Sequence, residues 1–132
     1  MKLVVIESPY KGDVARNTLY LRHCIRDCIN REESPYASHR MLTDALDDND
    51  PVERAVGIAA GLAWRKAVQA VFRQTETGVV ASFDPVLPVF YLDLGWSDGM
   101  TYARKQYDAD RIAYEERKLR SDDPFFVQAS LL

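Results

Sequence analysis

Phe90-Tyr91-Leu92-Asp93-Leu94-Gly95-Trp96-Ser97-Asp98-Gly99-Met100 joins a short apolar run to an acid and then to a loop carrying two glycines and a serine. Helical patterning resumes from about Gly99 to Ala109. A buried strand over 89–93 that ends in a carboxylate places that carboxylate, a hydroxyl and free backbone N–H groups at the carboxyl edge of a sheet. In open α/β sheets ligands bind at that edge, where the strand order switches. The N-terminus repeats the theme. Leu3-Val4-Val5-Ile6 reads as a strand buried on both faces, and Glu7-Ser8-Pro9-Tyr10-Lys11-Gly12 is the loop after it. Two such loops can face each other across one small polar ligand.

Outward from these anchors the chain alternates strand and helix. Val14, Leu19, Leu21, Cys24, Ile25, Cys28 and Ile29 form a largely one-sided apolar stripe, which predicts a helix over 13–31. Residues 33–38 read as a second strand, and 39–46 as a loop or short helix. Asp47-Asp48-Asn49-Asp50-Pro51 breaks the pattern. It sets Asp50 as an N-cap, with Pro51 in the first turn of a helix over 52–66. Residues 67–73 read as a third strand. Residues 75–88, punctuated by Gly78 and two prolines, read as a hairpin or an irregular insertion. Ile112 to Glu115 is a last strand. The expected fold is α/β: a flavodoxin-like, Rossmann-like three-layer arrangement with a mostly parallel sheet over 1–119. An apolar tail at 120–132 docks on a partner subunit or on its own core.

With 132 residues, 47% of them hydrophobic, one domain with a real core is the simplest reading. The net charge of −3 and the lack of a long basic run argue against direct nucleic-acid binding or an anionic membrane surface. No apolar stretch reaches the roughly 18 to 20 residues of a membrane span. The start shows no signal-peptide pattern, so the expected location is cytoplasmic. Cys24 and Cys28, spaced i, i+4, share a helix face without a matching Cys/His pair at zinc spacing. They read as small apolar-face residues in a reducing compartment. The acidic run at 47–50 lacks the glycine and the late glutamate of a calcium loop, so no metal is expected, and no cofactor.

Ser8-Pro9-Tyr10 with Gly12, Asn17, Pro35, His39, Leu46-Asp47-Asp48, Pro51, Glu53-Arg54, Gly57-Ile58 and Gly61-Leu62, then Asp93-Leu94-Gly95-Trp96-Ser97 with Gly99-Met100, form an ordered series. The series spans about residues 3–119. It resembles a group of small, often phage-encoded proteins that are similar in turn to the nucleoside 2-deoxyribosyltransferases and the nucleotide N-glycosidases. The resemblance implies a nucleoside or nucleoside monophosphate as ligand, and homo-oligomers whose sites lie near subunit interfaces. In those enzymes a glutamate after a late strand attacks the anomeric carbon, and an acid before it helps to protonate the departing base. N–H groups of a Ser- and Gly-rich loop hold the 5′-phosphate. Their pattern runs Asp-x-Gly-Thr-x-x-Glu-x-Gly-x-Ala. Here Gly99 stands at the glutamate position, and Asp98 is the nearest carboxylate.

The expected catalytic residues are therefore Asp93 and Asp98. The expected ligand-binding residues are Ser8, Pro9, Tyr10, Gly12, His39, Gly95, Trp96, Ser97, Gly99 and Met100. Several also have plain structural readings: Asp98 before Gly99-Met100 suits a helix N-cap, and Ser8 and Ser97 suit local turn hydrogen bonds. The expected function is action at the N-glycosidic bond, by an N-glycosidase or a deoxyribosyltransferase-like enzyme. The alternative is a non-catalytic protein that sequesters or senses a nucleotide.

Overall fold

The continuous apolar run at the N-terminus becomes strand β1 (Lys2–Glu7), buried from Val4 onward as an interior parallel strand must be. The computed structural model describes the backbone of residues 1–132 and every side chain except those of residues 68, 69 and 71. Helix α1 (Val14–Asn30) starts at Asp13, whose side chain accepts the Arg16 N–H. Its inward stripe is Asn17, Tyr20, Leu21, Cys24 and Cys28, so both cysteines are buried core residues. The chain continues through β2 (Glu33–Tyr36), α2 (Ser38–Ala45) and α3 (Pro51–Arg65). As expected, Asp50 caps α3, its side chain accepting the Val52 N–H, with Pro51 at the first helical position. Then come β3 (Val68–Thr75), β4 (Gly78–Pro85), β5 (Leu87–Tyr91), α4 (Asp98–Ala109), β6 (Glu115–Arg117) and α5 (Phe125–Ala129).

Strands β2, β1, β5 and β6 form one parallel sheet in that order. From β1 the chain crosses to β2 on one side, then returns past β1 to β5 on the other. The switch point thus lies between β1 and β5, at Glu7 and Tyr91. One face of the sheet carries Val4, Ile6, Val89 and Tyr91 against Tyr20, Leu21, Cys24 and Cys28 of α1. The other carries Phe90 against Met100, Ala103 and Tyr107 of α4. Helices cover both faces of the sheet, giving the expected flavodoxin-like three-layer α/β fold. Among the described residues no helix is long and apolar enough to cross a membrane.

Two expectations need correction. The strand expected at 67–73 is not part of the main sheet. Strand β3 pairs only with β4, in an antiparallel ribbon, and residues 75–88 supply the second arm of that hairpin. Exposed Phe72, Val79 and Phe83 alternate with Arg73, Ser82 and Asp84, a pattern unlike the continuous apolar run of an interior parallel strand. The last strand begins at Glu115, not Ile112. Arg111 adopts a left-handed φ of 56°, and the Ile112 N–H reaches back to the Tyr107 carbonyl at 2.8 Å. This Schellman-type stop uses the residues that would have opened the strand. Of the two places expected for residues 120–132, a partner subunit or the chain's own core, the structure shows the second. Phe125 is buried with its ring 5.0 Å from that of Tyr20, and His23 bridges Asp123 at 2.8 Å and Gln128 at 2.9 Å. The tail docks on its own core, while Val127, Leu131 and Leu132 stay exposed.

Candidate functional site

A cavity of about 780 Å³ opens at the carboxyl edge of the sheet, over the gap between β1 and β5. Four segments wall it: the loop after β1, α2 with the turn that follows it, the inner side of α3 and the start of α4. The first loop is pinned from below, because the Asn17 amide donates to the Tyr10 and Lys11 carbonyls at 3.0 and 2.9 Å. Helix α3 approaches α2 closely because it presents glycines there. A Cβ on Gly61 would lie 3.0 Å from Ser38 Oγ, and one on Gly57 3.3 Å from Leu46 Cδ1. One turn beyond Gly61, the same i, i+4 spacing brings Arg65 to the cavity floor.

Glu7 is the buried acid of that floor, with 5% of its surface exposed. Its Oε1 accepts the Tyr107 hydroxyl at 2.5 Å and lies 2.6 Å from Arg65 Nε. The Arg65 contact is a close ion pair whose Nε–H is poorly aligned on Oε1, and that buried nitrogen has no better-aligned partner among the described residues. Burial pushes the Glu7 carboxyl above its ordinary range, with the Arg65 charge and the Tyr107 hydroxyl pulling the other way. Beside them the Ser8 hydroxyl and His39 Nε2 are 2.9 Å apart. Burial, and then the Arg65 charge, push His39 down to about 4, so its imidazole is neutral at physiological pH. Ser8 and His39 have the spacing of a nucleophile and its base, but an imidazole so hard to protonate is a weak base for that chemistry.

The mouth is built differently. Ser97 is the N-cap of α4, its Oγ accepting the Met100 N–H at 3.2 Å. Asp98 is therefore the first helical residue, exposed at the rim. Trp96 is stacked between Phe90, 4.9 Å between centroids, and the Arg104 guanidinium, 4.5 Å from its ring. Tyr10 and Tyr102 are the other aromatic rings on the cavity. Two rim cations share one acid: Arg54 Nη1 is 3.1 Å and Lys11 Nζ 3.7 Å from Asp48 Oδ2.

Of the residues expected at the site, the structure brings Ser8, Tyr10, Gly12, His39, Trp96, Ser97, Asp98, Gly99 and Met100 onto one cavity. Pro9, Gly95 and Asp93 do not line it. Gly95 supplies the positive φ of 78° that turns the chain toward α4. Asp93 faces the α1 side: its Oδ2 accepts the Tyr20 hydroxyl at 2.5 Å and the Leu119 N–H at 3.0 Å. There it ties β5, α1 and the segment after β6 together. The sequence reading missed Glu7, Ser38, Arg54 and Arg65. Glu7 carried the same signal as Asp93, an acid closing an apolar run, but nothing local paired it with Arg65. Among the described residues no group of three or more His, Cys, Asp or Glu side chains is placed to hold a metal.

A family model matches residues 2–83, from β1 into β4. The chain belongs to the family described as a domain of unknown function, DUF7768. The matched DUF7768 region supplies three of the four cavity walls, including Glu7, His39 and Arg65, while the α4 wall lies outside it. No curated protein and no solved structure matches the chain.

Proposed function

We propose that the cavity binds a nucleoside or nucleoside monophosphate between residues 7–12 and 93–100, and that the protein acts at the N-glycosidic bond. The observation that carries this reading is one switch-point cavity with three kinds of lining: aromatic rings at the rim, cations beside them and a carboxylate with hydroxyls at the floor. Those are the chemistries a base, a phosphate and a sugar require. The likeness of the two loop motifs to nucleoside deoxyribosyltransferases supports the same ligand class. As an enzyme, Asp98 is the expected carboxylate that lines the cavity, and Asp93 shapes its loop from behind. A cytoplasmic nucleotide pool would supply the substrate.

The second reading, a non-catalytic nucleotide binder, is favoured by one observation. Asp98 is exposed at the rim and Gly99 has no side chain, whereas a nucleophile must approach within about 3 Å of its target. Chromatography of bases released from mixed nucleotides and deoxynucleotides separates the two. Release that disappears in Asp98→Ala supports the enzyme. Saturable binding with no release leaves the binder. A thermal-shift panel tests the ligand class itself, since a ligand at 100 times its Kd adds about 2.7 kcal/mol.

We also propose a homo-oligomer. Val52 and Val56 on α3 are 72 and 56% exposed, and Phe72 and Phe83 on the ribbon both 71%, more apolar surface than an isolated monomer needs to show. A lone two-stranded ribbon is marginal in water. Light scattering returning 15.1 kDa would refute this.

A further inference from the structure

Resting on the nucleotide reading above, we infer that the cavity floor takes the sugar, with one ribose hydroxyl bridging Glu7 and Arg65. Oε1 of Glu7 is occupied by Tyr107 and Arg65. Oε2 has no hydrogen-bond partner among the described residues and is not sealed from solvent. Nε of Arg65 is sealed; its two terminal nitrogens are not, and have no hydrogen-bond partner among the described residues. The floor thus presents a free acceptor beside free donors. A hydroxyl answers both at one atom, since its O–H donates while its lone pairs accept.

The other parts of a nucleotide fit the floor poorly. A phosphate there would meet the Glu7 carboxylate, and the neutral His39 adds no second cation to offset it. Lys11 and Arg54 at the rim, both paired with Asp48, suit it better. A base gains most from a flat aromatic partner. Tyr102, 47% exposed, stands at the mouth, whereas Glu7 at 5% lies deep. A ligand without the bridging hydroxyl would leave the carboxylate oxygen and the guanidinium unpaired in a part-buried site, and such losses are costly.

Titration of the wild-type protein with the four ribonucleoside 5′-monophosphates, then with the 2′-deoxy and 2′,3′-dideoxy forms of the tightest, is the test. Loss of at least one hydroxyl is expected to weaken binding about tenfold or more. The step at which affinity falls tells the 2′ from the 3′ position. In Glu7→Gln the dependence should flatten. Tyr107→Phe, which keeps both charges, should retain it, and so guards against a Glu7→Gln protein that folds poorly. Dideoxy and ribose forms binding within about twofold of each other would overturn this inference alone, as would a Glu7→Gln protein with undiminished dependence. Binding of 2′-deoxy forms where the ribose forms fail would likewise overturn this inference alone, whereas failure of all four ribonucleotides and their 2′-deoxy forms to bind would overturn the nucleotide reading together with it.

Discussion

Two buried arginine–glutamate pairs sit on opposite faces of the sheet, and they are finished differently. Arg117 and Glu33 are 6 and 10% exposed in their side chains, Arg65 and Glu7 10 and 6%, so burial does not separate them. Hydrogen bonding does. Arg117 forks onto both Glu33 oxygens at 2.6 and 2.8 Å and takes Glu115 with the edge that remains, which holds its guanidinium well above the ordinary arginine range. Arg65 meets Glu7 through one poorly aligned Nε contact on one oxygen, and the other carboxylate oxygen has no hydrogen-bond partner among the described residues. The saturated pair closes a core. The unsaturated one faces a cavity and keeps polar capacity for something that is not part of the chain.

Breaking the saturated pair should cost most. Arg117→Ala leaves Glu33 buried and unpaired, with an expected loss of about 3–5 kcal/mol in unfolding free energy. A loss below about 1 kcal/mol would mean that the pair is not buried as described. Next comes acid. His39 stays neutral in the folded protein down to about 4, whereas the unfolded chain protonates it near its ordinary value. The unfolded state therefore binds more protons between about pH 6.5 and 4, and stability falls as pH falls through that window. The contribution is at most about 3 kcal/mol, and less where cavity water hydrates the ring. Protonation of Glu7, whose carboxyl is raised, works in the opposite direction. His39→Gln should flatten the melting-temperature profile over this range; an unchanged slope would assign it elsewhere. Glu7→Gln should cost less than Arg117→Ala, about 1–2 kcal/mol, because water in the cavity can hydrate the Arg65 left behind. An equal cost in the two variants would erase the distinction between the pairs. The smallest effect is expected at the rim, where Ser97→Ala removes the α4 cap for about 1 kcal/mol.

The same two faces explain what the sequence disclosed and what it withheld. The switch-point loops were legible, because an apolar run followed by a Ser- and Gly-rich loop is a local signal at both Leu3–Ile6 and Phe90–Leu92. So were the Asp50–Pro51 helix start and the loop residues that meet on one cavity. Which strand-end acid points where was not legible. Interior parallel strands are apolar on both faces, so their pleat leaves no alternation to read. Phe90 falls toward α4, and Glu7 meets Tyr107 of α4 on the cavity side. Ile6 and Tyr91 fall toward α1, and Asp93 follows Tyr91 there. The role expected of Asp93 rested on a parity that its own neighbours do not reveal. Arg65 was hidden for another reason. Only the close α2–α3 packing allowed by Gly57 and Gly61 brings the end of a helix to the end of β1. Residues 67–73 were read into the main sheet because a ribbon that pairs with itself uses the same β-formers as a sheet strand.

Amide hydrogen exchange, with and without a saturating ribonucleoside 5′-monophosphate, compares the two faces in one experiment. Slowed exchange is predicted at residues 8–12, 38–43 and 96–102, with 115–120 unchanged. Uniform protection, or none at the cavity segments, would contradict a ligand seated over Glu7 and Arg65.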